Sequence, residues 1–254
     1  VAQAERTVFF DVGNVMIDDD PFLAESFRLI YEAIPAHSLK ARPERFWRDV
    51  ERLMRSHGHA AVERVGSRCL GRNWPKLRKR IQSHIADVWW NLVRMIPGAR
   101  AALEALRGTY RLGIIANQPP QTLDFLEEQG LLSLFDVVML DSQRGVGKPS
   151  ADLFRLALQE AKVGPESAMM VGDRLDNDIV PSRRLGMRAV LLWLDAGEKG
   201  WRPEGDWART FRKILERLPA PRWDSLPVKE RPSAVAREWG GLPLAIEAAW
   251  EQGP

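Results

Sequence analysis

The chain has 254 residues, of which 45% are hydrophobic and 28% charged, with a net charge of +3; this is ordinary globular arithmetic, and it excludes disorder and collagen-like repeats. No apolar run approaches the roughly 18 to 20 residues that a bilayer-spanning helix needs. The first residues lead straight into Val8-Phe9-Phe10-Asp11 without a signal-peptide layout, so a soluble, cytoplasmic chain with no membrane partner is expected. A single cysteine, Cys69, excludes an intrachain disulfide and a thiolate metal centre.

The first apolar run, Val8 to Phe10, reads as a buried strand, and it ends in Asp11-Val12-Gly13-Asn14-Val15. In an open α/β sheet ligands bind beyond the carboxyl ends of the strands, so Asp11 stands where a reactive group is placed. A turn or cap role is the alternative for the same residue. Asp18, Asp19 and Asp20 follow and read as an exposed acidic loop.

The next strand signal, Leu112 to Ile115, comes about a hundred residues later, too far for one crossover. Helical spacing of apolar residues appears at Phe22 to Ala33, Pro43 to Ser56 and Lys76 to Val93, with Pro35, Gly58, Gly66, Gly71 and Pro75 as breakers. A helical insertion of roughly 75 residues is therefore predicted. From Lys40 to Arg100 it carries 15 Lys/Arg against five Asp/Glu, a local excess able to draw an anionic ligand, or simply a set of solvated helix faces. Arg42, Arg45, Arg48, Arg52 and Arg55 recur at helical spacing and predict one basic face. His57 and His59 have no carboxylate or cysteine frame around them and read as a loop.

After Leu112 to Ile115, which runs into Ala116-Asn117-Gln118, strands are predicted at Val137 to Leu140, Met169 to Val171 and Val190 to Leu194. Between them lie helical segments at Gln121 to Glu128, Ala151 to Ala161 and Asn177 to Leu185, and Ala99 to Arg107 precedes the second strand. Strand alternating with helix predicts a doubly wound parallel sheet. Gly145-Val146-Gly147-Lys148-Pro149 sets a lysine, a compact charge suited to phosphate, in a glycine-rich loop. Gly172-Asp173-Arg174-Leu175-Asp176-Asn177-Asp178 places acids directly after a strand, where they repel one another unless a cation intervenes. Hard oxygen ligands of this kind suit Mg²⁺, with a solvated loop and helix N-cap as the alternative. Beyond Leu194 the pattern weakens, with helices at Glu204 to Leu218 and Leu244 to Trp250. Five of the ten tryptophans lie here, so the segment is expected to pack on the core or on a second copy of the chain.

The order Asp11 after the first strand, Asn117 after the second, Lys148-Pro149, and Gly172-Asp173 with Asp178 resembles the haloacid dehalogenase-like (HAD) hydrolase superfamily, over about residues 6 to 195. The resemblance implies a Rossmann-like core at 1–17 and 96–200 and a helical C1-type cap at 18–95, and it leaves a Trp/Pro-rich C-terminal extension at 201–254. It also implies a mechanism. Asp11 would attack phosphorus to form an aspartyl-phosphate, and Lys148 would hold both Asp11 and a phosphoryl oxygen. Asn14, Asn117 and Gln118 would join Lys148 in binding substrate. Mg²⁺ would be held by Asp11, Asp173, Asp178 and the carbonyl of Gly13. The substrate implied is a small phosphorylated or otherwise anionic metabolite, and nucleic acid is not expected.

Two positions depart from the family pattern. Gly13 stands where many family phosphatases carry a second Asp as general acid and base, a contribution worth about two to four powers of ten in rate. Ala116 stands where Ser or Thr usually bonds the phosphoryl group, a loss of roughly 1.5 to 3 kcal/mol. A slow phosphatase is therefore expected first. A haloacid dehalogenase-type hydrolase, which also uses the aspartate nucleophile, and a catalytically weak binding protein are the alternatives.

Overall fold

The computed structural model describes residues 6–252. The chain divides into two compact units. One takes the chain up to Ile17, resumes over Met95–Lys199 and runs on from Ala220; the other comprises Asp18–Arg94 and Gly200–Pro219.

The first unit is built on a six-stranded parallel sheet. Its strands are β1 (Thr7–Phe10), β2 (Arg111–Ala116), β3 (Val137–Leu140), β4 (Ala168–Gly172), β5 (Arg188–Leu192) and β6 (Ala234–Ala236), in the order β3-β2-β1-β4-β5-β6. The continuous apolar runs of β1, β4 and β5 are buried throughout, as strands covered on both faces require. Central β1 pairs with β2 on one side and β4 on the other, with Phe10 level with Ile114 and Val171. The chain thus reverses direction across the sheet at β1, and the loops after β1, β2 and β4 emerge side by side. Gly113 in β2 lets the strands close over Phe9, because a Cβ there would stand 2.5 Å from its ring.

The segments predicted as helices of this unit form α5 (Ala99–Arg107), α6 (Gln121–Glu128) and α8 (Ala151–Ala161) at the expected bounds, with a short α7 (Asp141–Arg144) before the lysine loop. Ser150 caps α8 by accepting the Asp152 N–H. Asn177 to Leu185, predicted as one helix, instead opens as a wide π-helical turn, Leu175–Ile179, and continues as α9 (Val180–Arg184). Wide turns of this kind insert one residue and re-aim a side chain, commonly at functional sites.

The second unit contains α1 (Asp20–Glu32), α2 (Pro43–His57), α3 (Ala61–Leu70), α4 (Trp74–Leu92) and α10 (Gly205–Leu215). Helix α3 departs from the expected pattern, in which Gly66 broke the chain. Gly66 is instead mid-helix and buried, and a Cβ there would sit 2.3 Å from the Trp74 ring. Its missing side chain is what lets Trp74 lie against the helix, a packing benefit that outweighs glycine's poor helix propensity. The acidic run is also not an exposed loop: Asp18 and Asp20 are buried, and Asp18 accepts the Asp20 N–H at the start of α1.

Residues 201–254, expected as one extension, are divided between the units. Trp207 of α10 packs 4.2 Å from Trp47 and donates to the Ala24 carbonyl, and Phe211 meets Phe27 at 5.4 Å. In the sheet unit, β6 adds a strand too short to register in the sequence pattern, followed by α11 (Leu242–Glu251). Trp239 stacks on Phe10 and donates to the Val15 carbonyl, while the Arg6 and Arg188 guanidiniums lie 4.7 and 4.6 Å from the centre of the Trp250 ring. Of the two expectations for this segment, packing on the core or on a second copy, Trp239 and Trp250 follow the first and are buried within the chain. Among the described residues no helix is long and apolar enough to cross a membrane.

Candidate active site

Asp11 is the first residue beyond β1, and its N–H still donates to the Val171 carbonyl, so the sheet itself holds its backbone. Its Oδ1 accepts the Val12 N–H at 2.7 Å and the Lys148 ammonium at 2.8 Å. The same ammonium donates to Asp178 Oδ1 at 2.5 Å, and the Lys148 side chain is wholly enclosed. Burial works against a charged lysine here, but the carboxylates of Asp11 and Asp178 outweigh it and hold Lys148 above the ordinary lysine value.

The loop carrying Lys148 is aligned by Asn117. Its side-chain Nδ2 donates to the Lys148 carbonyl and its Oδ1 accepts the Lys148 N–H, both at 2.8 Å. Both ends of the carboxamide are therefore engaged with this peptide, and the Asn117 side chain holds the lysine loop. Gly147 makes that approach possible, because a Cβ there would come within 2.8 Å of Asn117 Oδ1. Gln118 is half-buried; its backbone N–H donates to Asp141 and its Oε1 accepts from Thr122.

Within the acidic loop after β4, the wide turn separates the carboxylates. Asp176 is exposed and is held by the Arg174 guanidinium at 3.1 and 2.8 Å. Asp173 and Asp178 are buried and turn toward Asp11, with one carboxylate oxygen from each of the three lying within 4.8 Å of the others. Asp178 also accepts the Arg174 N–H at 3.0 Å. Gly172 makes room for it, since a Cβ at 172 would sit 2.4 Å from the Asp178 Cβ and 2.6 Å from its Oδ2. Burial, only partly countered by Lys148 and reinforced by Asp11, pushes the Asp178 carboxyl up to about 6.

Gly13 and Asn14 complete the turn after β1, both buried. Asn14 takes the left-handed conformation, φ +53°, that asparagine tolerates better than most residues. Its Oδ1 accepts a 2.7 Å hydrogen bond from Lys199, a residue that no motif marked. Ala116 ends β2 and is fully buried.

The donor set fits a hard divalent cation. Three buried carboxylates gather at one point and Lys148 offsets one of their negative charges, leaving an oxygen-lined cluster with a demand for positive charge that Mg²⁺ meets with few protein ligands and retained waters.

A family model for haloacid dehalogenase-like hydrolases matches residues 5–186. Over 198 residues the chain is 26% identical to the glyceraldehyde 3-phosphate phosphatase of Pyrococcus abyssi, covering 76% of this chain and 82% of that protein. The crystal structure of a predicted phosphoglycolate phosphatase from Haemophilus somnus superposes with a TM-score of 0.64 at 16% identity, over 96% of this chain and 98% of that one. The HAD-hydrolase YfnB of Bacillus subtilis, solved bound to magnesium, superposes with a TM-score of 0.52 at 19% identity, over 74% and 89% of the respective chains. At these identities the structural likenesses establish the fold alone.

Proposed function

We propose that this chain, which belongs to the haloacid dehalogenase-like hydrolase family, is a phosphatase of small phosphorylated metabolites that works through an aspartyl-phosphate. The observation that carries the reading is the convergence of Asp11, Lys148, Asp173 and Asp178 on one buried point. The phosphatase name of the Pyrococcus relative supports the substrate class.

Asp11 Oδ1 is occupied by the Val12 N–H and by Lys148, which leaves Oδ2 as the atom that attacks phosphorus. The P–O bond to the leaving group breaks as the Oδ2–P bond forms, and water then cleaves the acyl-phosphate to return the carboxylate and release inorganic phosphate. Lys148 orients Asp11 through its 2.8 Å ion pair, and its positive charge stabilises negative charge gathering on the phosphoryl oxygens. Asn117 holds that lysine in place through its peptide. Asp11, Asp173, Asp178 and the Gly13 carbonyl would hold Mg²⁺, which when bound offsets the repulsion between the nucleophile and an anionic substrate. Magnesium in YfnB supports that choice of ion.

Gly13 offers no carboxylate to protonate the departing alkoxide, so turnover depends strongly on the leaving group. Aryl phosphates should react well and alkyl phosphates slowly. The test is Mg²⁺-dependent hydrolysis of a series of aryl phosphates, with loss of activity in EDTA and in Asp11→Asn. Turnover that survives either condition refutes the reading. Halide release from 2-chloropropionate without metal would assign the same aspartate to dehalogenation instead.

A further inference from the structure

The helical unit contains a shallow, open pocket of about 650 Å³ lined by Arg52, Leu53, Ala60, Glu63, Arg64, Ser67 and Arg68. Its walls are α2, the Gly58–Ala60 turn and one face of α3. All its residues belong to this unit, and none belongs to the acid cluster of the sheet unit.

The charges in this pocket do not balance. Arg52 and Arg68 share a single carboxylate, Asp49, each at 3.2 Å. Glu63, the acid in the lining, is already taken by the Trp74 indole N–H at 2.7 Å and by Arg78 at 3.4 Å. Neither the Arg64 guanidinium nor the Ser67 hydroxyl has a hydrogen-bond or ion-pair partner among the described residues. Around it, residues 40–80 carry 13 Lys/Arg and four Asp/Glu. A surplus of guanidinium donors in a pocket of this size, with exposed Ala60 adding apolar surface over the buried Leu53, matches a small anion that also has an organic body.

We infer that the helical unit binds a small organic polyphosphate, of the size of a nucleoside triphosphate, between α2 and α3. Arg64 and Arg68 grip its phosphates and Ala60, above the buried Leu53, packs against its organic part. Charges gathered over the few residues of one pocket suit a compact ligand better than a nucleic-acid duplex, whose phosphates recur along an extended path.

The full chain is titrated calorimetrically with ATP in EDTA, where the carboxylates of the acid cluster repel anions from the sheet unit. Saturable one-to-one binding is expected, weakened about 30-fold or more in the double variant Arg64→Glu, Arg68→Glu, since two charge-assisted contacts become repulsive. Lys79→Glu, an exposed reversal on α4 outside the pocket, controls for the general field and should change affinity less than about threefold. All three arginine and lysine positions are exposed, so these variants should fold. The inference is overturned if ATP does not saturate the wild type, if Lys79→Glu weakens binding as much as the double variant, or if a short DNA duplex binds more tightly than ATP. Binding in EDTA is read without any turnover, so the result stands apart from the phosphatase reading.

Discussion

Replacing Lys148 by Met tests the charge balance of the acid cluster. Methionine keeps most of the buried volume and removes the ammonium that lies 2.8 Å from Asp11 and 2.5 Å from Asp178, in a side chain with 0% exposure. Removing one partner of a buried ion pair leaves the other charge uncompensated and costs about 3 to 5 kcal/mol. The cluster can escape part of this by taking up a proton. Asp178 already titrates near 6 because burial disfavours its charge, and losing Lys148 raises it further. A carboxyl whose folded pKa lies above its unfolded value binds more protons in the folded state, so its contribution to stability is present at low pH and is lost as pH rises through the folded pKa. The Lys148→Met deficit should therefore be largest near pH 7.5, shrink as pH falls below the variant's raised pKa by up to roughly 1.4 kcal/mol per unit, and level off below about 6, where Asp178 is protonated in the wild type as well. Mg²⁺ should restore part of the loss near pH 7.5, since it supplies the positive charge the lysine provided. Guanidinium unfolding in EDTA and in Mg²⁺, across that pH range, measures all of these quantities. A deficit under about 1 kcal/mol near pH 7.5, or one that does not change with pH, would refute the reasoning.

Other consequences can be checked separately. Mg²⁺ affinity, measured by calorimetry, should fall about tenfold per pH unit below about 6, because the ion competes with a proton for Asp178; an affinity flat down to pH 5 would exclude Asp178 as a ligand. Gly172→Ala should displace Asp178, lowering metal affinity by more than tenfold and stability by about 1 to 3 kcal/mol, because its Cβ would overlap that side chain; unchanged metal affinity would show that the cluster tolerates the shift. Gly66→Ala should cost about 1 to 3 kcal/mol despite alanine's better helix propensity, through the clash with Trp74. A stabilised Gly66→Ala protein in thermal unfolding would mean that the indole relocates freely.

The core of this protein was legible in its sequence because each of its signals is local. An apolar run such as Val190 to Leu194 states its own burial, and the helices at Ala99–Arg107, Gln121–Glu128 and Ala151–Ala161 state theirs by periodicity. The order of Asp11, Asn117, Lys148 and Asp173 with Asp178 was visible for the same reason: each follows a strand signal, and parallel topology brings strand ends to one side. What a neighbour distant in sequence does to a residue was not legible. Gly66 looks like a breaker until Trp74 is laid against it, and Gly172 looks like a turn until the Asp178 side chain needs the space. Asn117 became a positioning group for Lys148, and Lys199 reached Asn14 from 185 residues away. Asp176 and Asp178 are equivalent acids in the sequence, and only the wide turn after Arg174 sends one to solvent and the other into the cluster. Local pattern specifies which elements form, because burial of a face depends on spacing along the chain. Partner choice depends on distances across it, and only the packed structure sets those.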